Sequence, residues 1–293
     1  MRFLSLVALI GCESFEGNGL QQDSPFADTA DTAEILGCVP DGDGRVSFDE
    51  FSADPSLGIN AIYTTNAPGG AVNVPSMAGT SNGDGTFGWD FSSVAVADQS
   101  WTVAIAHPEE LWFASYFPEA TYIVGMDASE SVYGVYRVDA AAERLELLGM
   151  ATADKYKAGL IKYEEPVVVF EFPLSYERSW QSGRVKASGR WEGTDYPVDF
   201  GLAGEVTLQH SYGFEVDRRG TVAVPLGSFD VLRLRSNQLM EAVNSITGTF
   251  ASEKTILYFY IAECTGLVAR VRSTDGETDP DFNEASEYLR LGF

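Results

Sequence analysis

Lysine is scarce in this chain: it supplies five of the 19 basic residues among 293, against 43 acidic ones, and the formal net charge is −24. Such a surface repels phosphate backbones and anionic headgroups, which argues against nucleic-acid binding. Histidine is scarcer still, with only His107 and His210. Neither belongs to a His-x-x-x-His or His-Glu-x-x-His pattern, and no phosphate loop is present, so zinc-enzyme and nucleotide-binding signatures are missing. The adjacent pairs Glu109-Glu110 and Glu164-Glu165 do not replace them. Neighbours on a strand point to opposite faces, so neither pair can flank one glycosidic bond from the same side. Cysteine occurs three times, at 12, 38 and 264. What the chain has in plenty is apolar material: 45% hydrophobic and 12% aromatic residues suffice for a core without a metal.

At the start, Met1-Arg2 precedes the apolar run Phe3-Leu-Ser-Leu-Val-Ala-Leu-Ile10 and then Gly11-Cys12. One positive charge followed by a short apolar stretch reads as a secretory signal, and the run is too short to span a bilayer as a helix. Leu9-Ile-Gly-Cys12 resembles the lipobox of bacterial lipoproteins. The resemblance implies removal of residues 1–11, acylation of Cys12 as the new amino terminus, and a place in the cell envelope, at the outer membrane or the periplasmic face. Two or three acyl chains anchor stably where one holds only marginally. Residues 12–36, with the near-repeat Ala27-Asp-Thr-Ala-Asp-Thr-Ala33, have little to bury and read as a flexible acidic tether.

Residues 37–54 contain Asp41-Gly-Asp-Gly-Arg-Val-Ser-Phe-Asp-Glu-Phe51, which resembles the second part of an EF-hand calcium loop. With Gly44 as the loop glycine, the resemblance implies Ca²⁺ held by Asp41, Asp43, the Arg45 carbonyl and Glu50. The first ligand position falls on Val39, which has no carboxylate to offer. The alternative is a tight glycine turn with surface acids.

Residues 55–293 read as one antiparallel β domain. Turn signals such as Asn82-Gly-Asp-Gly and Pro225-Leu-Gly227 separate short runs that are apolar at alternate positions. Among the expected strands are Leu111–Tyr116, Tyr156–Tyr163, Pro166–Phe172 and Arg178–Trp191, and Asn237–Asn244 is read as strand continuing to a hairpin. In Leu232-Arg-Leu-Arg and Leu267-Val-Ala-Arg-Val-Arg an arginine recurs every second residue. This predicts a sheet with its guanidinium groups on a wet face and its aliphatic residues on a buried one. Trp89, Trp101, Trp112, Trp180 and Trp191 are placed on strands, as core, the alternative being the lining of an apolar or carbohydrate-binding groove. The expected fold is all-β: a large antiparallel sheet curled into a half-barrel or a sandwich. The stretch from Phe172-Pro-Leu through Gly220-Thr-Val-Ala-Val-Pro-Leu-Gly-Ser-Phe-Asp-Val-Leu-Arg to Gly266-Leu-Val-Ala-Arg resembles periplasmic half-barrels such as the lipoprotein carriers LolA and LolB. That likeness implies a concave face able to hold acyl chains.

With Cys12 taken by lipid, Cys38 and Cys264 form an even pair in an oxidising compartment, which suggests a disulfide, the alternative being two separately buried thiols. The expected protein is therefore a lipid-anchored, non-enzymatic envelope lipoprotein acting as a binding or structural module. Its expected partners are the membrane, through Cys12, and an apolar ligand or an envelope protein. Two alternatives stay open: a carrier that shelters an apolar ligand in a curved sheet, and a hydrolase with an unrecognised site.

Overall fold

The computed structural model describes residues 38–51, 60–67, 70–126, 131–156, 159–191, 204–244 and 248–292. The signal at 1–11, the tether at 12–36 and Cys12 lie outside the described residues. In chain order the strands are β1 (Arg45–Val46), β2 (Asn60–Thr65), β3 (Val72–Asn73), β4 (Thr80–Ser81), β5 (Phe87–Asp90) and β6 (Gln99–Ala106). Then come β7 (Tyr122–Gly125), β8 (Val132–Asp139), β9 (Arg144–Thr152), β10 (Leu160–Glu171), β11 (Leu174–Ser175) and β12 (Ser179–Trp191). The chain ends with β13 (Gly204–Val224), β14 (Gly227–Asn244), β15 (Gly248–Ala262), β16 (Gly266–Ser273) and β17 (Glu284–Leu291).

The fold is all-β, as the alternation predicts, and the antiparallel sheet curls further than a half-barrel. From β2 the pairing runs through β6, β7, β8, β9 and β10 to β12, and on the other side through β17, β16, β15 and β14 to β13. β12 is bonded to both β10 and β13, from Ser179↔Glu215 to Trp191↔Gly204, which brings the two ends of the sheet together. β13 shows why the sequence folds this way: Val206, Leu208, His210, Tyr212, Phe214 and Val216 are buried at every second position, while the residues between them are not. A period of two places one row inside and one outside. At Val224-Pro-Leu-Gly227 the chain turns tightly into β14.

Several local expectations are corrected. Leu111–Tyr116 is not a strand: Pro108–Glu110 and Ala114–Tyr116 are 3₁₀ turns. Pro108 begins the segment, where a proline suits a helical turn. Phe113 and Phe117 pack with Ile123, Val135, Leu148 and Ala151 as a small second core on the barrel's outside. Trp112 lies in this segment rather than on a strand. Tyr156–Tyr163 and Pro166–Phe172 are not two strands but the single β10, which begins at Leu160 and carries an irregularity between Lys162 and Val167. A proline that cannot donate to the ladder is tolerated at such a bulge.

The largest correction concerns the arginines. No wet guanidinium face exists on β16, where every residue is buried. Arg270 and Arg272 lie on the inner row of the barrel, paired in register with Phe259 and Leu257. They form ion pairs with Glu287 at 2.5 Å and Glu253 at 2.9 Å. Arg233 of β14 lies on the outer row, yet it is 1% exposed. The segment running through β3, β4 and β5 covers it: Trp89 and Phe91 pack on Tyr260, and Phe91 also packs on Tyr288. The apolar pattern was correct in period, but a second layer of chain dried the outer face as well.

Candidate functional site

The inner wall of the barrel carries an ordered polar patch where β13, β14 and β15 run side by side. Cross-strand pairing sets His210 opposite Met240 and Met240 opposite Glu253; two residues along, Tyr212 is opposite Gln238 and Gln238 opposite Thr255. Paired residues share a face, so these six side chains form a two-row grid on the inner surface. Arg272 of β16 and Tyr163 and Met150, of β10 and β9, complete a cavity lined also by Leu239. About 30 Å³ of it is open to the centre of a water-sized molecule, enough for about two waters.

The chemistry of the patch is specific. His210, 3% exposed, has its Nδ1 2.5 Å from the Tyr163 hydroxyl and 2.6 Å from the Tyr212 hydroxyl. The two hydroxyls are 3.1 Å apart. Burial pushes the His210 pKa down to about 3, so the ring is neutral at neutral pH. Its Nε2 has no hydrogen-bond partner among the described residues. That holds for either tautomer, since the tyrosines can serve Nδ1 as donors or as an acceptor. Glu253, 7% exposed, accepts from Arg272 on Oε1 and has no partner on Oε2. Its pKa is raised to about 7, chiefly by burial, with Arg272 opposing. Buried polar atoms without partners are uncommon, and each calls for an explanation.

At the other end of the barrel, residues 38–51 form a plug. Phe51 lies 5.0 Å from Phe170 and 4.9 Å from Phe172, ring centre to ring centre, and Phe170 reaches Phe259 on the inner wall. β1 pairs with β11, and the Cys264 amide donates to the Glu50 carbonyl. Cys38 and Cys264 form a disulfide, with Cα atoms 5.6 Å apart across a separation of 226 residues.

The sequence-predicted calcium residues are distributed unevenly. Asp41 and Asp43 approach each other, and the third carboxylate beside them is Glu263, all three offering oxygens within 4.8 Å. Glu50 is occupied locally: its Oε2 accepts from the Ser47 amide at 2.7 Å. Asp41 and Asp43 accept from the amides of Asp43 and Arg45, and Glu263 accepts from the Gly42 amide. Burial and the nearby charges of Glu50, Asp41 and Asp43 raise the Glu263 pKa. Glu263 stands next to Cys264, so the disulfide that anchors the plug also supplies this carboxylate. No spacing rule could have indicated it, because the contact joins positions more than two hundred residues apart.

Gly79-Thr-Ser-Asn-Gly83 has the spacing Gly-x-Ser-x-Gly, but it crosses β4 into a β hairpin rather than a strand-to-helix turn. The Ser81 hydroxyl accepts from the Gly83 amide. His107 lies in an exposed turn before Pro108. His210 was legible only as a strand residue; its place in the buried row of β13 was the available signal. Comparison with known proteins gives no match: no protein-family profile fits the chain, and neither curated proteins nor solved structures are significantly similar to it.

Proposed function

We infer that this chain is an exported, non-enzymatic binding or structural module, held to the cell envelope by acyl chains on Cys12. The observation that carries the reading is the pairing of Cys38 with Cys264. Disulfides persist in oxidising compartments, and this one leaves Cys12, at the end of a signal-like segment, as the remaining cysteine. A module is favoured over an acyl-chain carrier by the inner wall. It is occupied by Phe259, Phe170, the Arg270–Glu287 pair and the Arg272–Glu253 pair. Among the described residues, a cavity beside them has room for about two waters, far less than an acyl chain needs. The hydrolase reading is disfavoured by His210, whose Nδ1 is held by tyrosines rather than by a carboxylate.

The test is expression of the full chain with its leader in a bacterial host, followed by fractionation and mass measurement. The wild type is expected in the membrane fraction, starting at residue 12 and heavier by its acyl chains. Cys12→Ser is expected in the soluble fraction. A wild-type protein that is soluble and still carries Met1 would refute the reading.

A second proposal concerns the plug. Asp41, Asp43 and Glu263 present three carboxylates to one point, and hard cations prefer such oxygen sets. Ca²⁺ binding there is expected to be lost in Glu263→Gln and kept in Glu50→Gln; calorimetry showing the opposite would return the site to the linear EF-hand pattern.

A further inference from the structure

We propose that the polar patch inside the barrel is a binding site for a small neutral polyol, with separate hydroxyls meeting His210 and Glu253 and the carbon chain lying on Met240. Three observations on the inner wall lead to this. First, His210 Nε2 and Glu253 Oε2 are both buried and both without partners among the described residues, while both residues line one cavity. Second, the two residues belong to strands with one strand between them, and Met240 is the in-register neighbour of each. Neighbouring strands are about 4.8 Å apart, so a guest satisfying both atoms needs polar groups at two points and apolar surface in the middle. A chain of carbons with vicinal hydroxyls has that layout. A hydroxyl also donates and accepts, so it suits Nε2 in either tautomer and Glu253 in either protonation state.

Third, the charges select against ions. Glu253 is already paired with Arg272, so a cationic guest would meet the guanidinium and an anionic one the carboxylate. A buried charge left without compensation is strongly unfavourable. The cavity holds about two waters, so the guest enters by a two-carbon hydroxylated end whose hydroxyls take their place. This proposal is independent of the lipid anchor and of the cation reading of the plug.

The experiment uses the purified full chain and follows the imidazole resonances of its two histidines while ethylene glycol, glycerol, acetate or methylammonium is added. Glycerol and ethylene glycol are expected to shift the His210 signals saturably and to leave His107 unmoved. Acetate and methylammonium are expected to do neither. Met240→Trp, which fills the space between the two anchors, is expected to abolish the response while both histidines keep folded-state shifts. Absence of a saturable His210 shift with either polyol would mean that water alone occupies the patch, and would overturn the proposal. So would saturation by acetate or methylammonium, or an unchanged response in Met240→Trp.

Discussion

Replacing Arg233 by Met tests the covered outer face of the barrel. A strand alternating Leu and Arg places Arg233 in water on sequence grounds, and a surface substitution there changes stability by less than about 0.5 kcal/mol. In the structure Arg233 is 1% exposed and makes two hydrogen bonds to Asp217, at 2.9 and 2.8 Å, and one to the Met77 carbonyl. Its guanidinium lies 4.3 Å from the ring centre of Tyr258 and 5.3 Å from that of Trp89. Arg233→Met keeps much of the volume but takes both hydrogen bonds from the Asp217 carboxylate, whose side chain is 10% exposed, and leaves it Arg235 at 3.9 Å as its ion-pair partner. Breaking one side of a buried ion pair costs roughly 3–5 kcal/mol, on the order of 10 °C in Tm for a domain of this size. The double variant Arg233→Met/Asp217→Leu removes the carboxylate as well and is expected to recover most of that loss. Urea denaturation of the wild type, both single variants and the double variant reads the cycle. Hydrogen exchange of the Met77 to Phe91 amides should rise in the single Arg233 variant, because the covering segment is fastened to that side chain. A single variant within about 0.5 kcal/mol of wild type would refute the covered face.

Three further outcomes follow from the same geometry. Glu253, with its folded-state pKa raised to about 7, favours folding at low pH and loses that contribution as pH rises from about 4.5 to 7. His210, lowered to about 3, acts in the opposite sense and loses its contribution as pH falls from about 6.5 to 3. The two slopes oppose each other between about pH 4.5 and 6.5, each up to about 1.4 kcal/mol per pH unit. Relative to wild type, Glu253→Gln should therefore lose stability on acidification through that window and His210→Phe on alkalinisation; parallel curves for all three proteins would exclude both buried groups. Replacing Cys38 and Cys264 by Ser should destabilise by up to roughly 5 kcal/mol in the chain-entropy picture of a long closed loop, and thiol labelling of the denatured, unreduced protein should leave both residues unmodified. Gly220→Ala should detach β5, because a Cβ there would lie 1.8 Å from the Phe87 carbonyl oxygen, where β13 pairs in parallel with Phe87–Asp90. Loss of the Trp89 fluorescence environment in that variant is the readout, and an unchanged spectrum contradicts the close approach.

The sequence by itself determined the period of the strands and hence the fold class. Val206 to Val216 alternate because a pleated strand gives its side chains only two directions, and that constraint is local. The turn at Pro225-Leu226 and the even cysteine pair were legible for the same reason: each depends on the chemistry of a few residues. The tertiary structure alone decided which faces are dry. Arg233 and Arg270 are both arginines in alternating runs, yet one is covered by a distant segment of chain and the other points into the barrel beside Glu287. Curling the sheet until β12 meets both β10 and β13 turned one face into an interior, and laying Trp89 and Phe91 over β15 and β17 closed part of the other. The placing of His210 and Glu253 on one cavity, and of Glu263 beside Asp41, comes from strand register and a long-range cross-link. These contacts join residues far apart in the chain, so no local pattern of residue types encodes them.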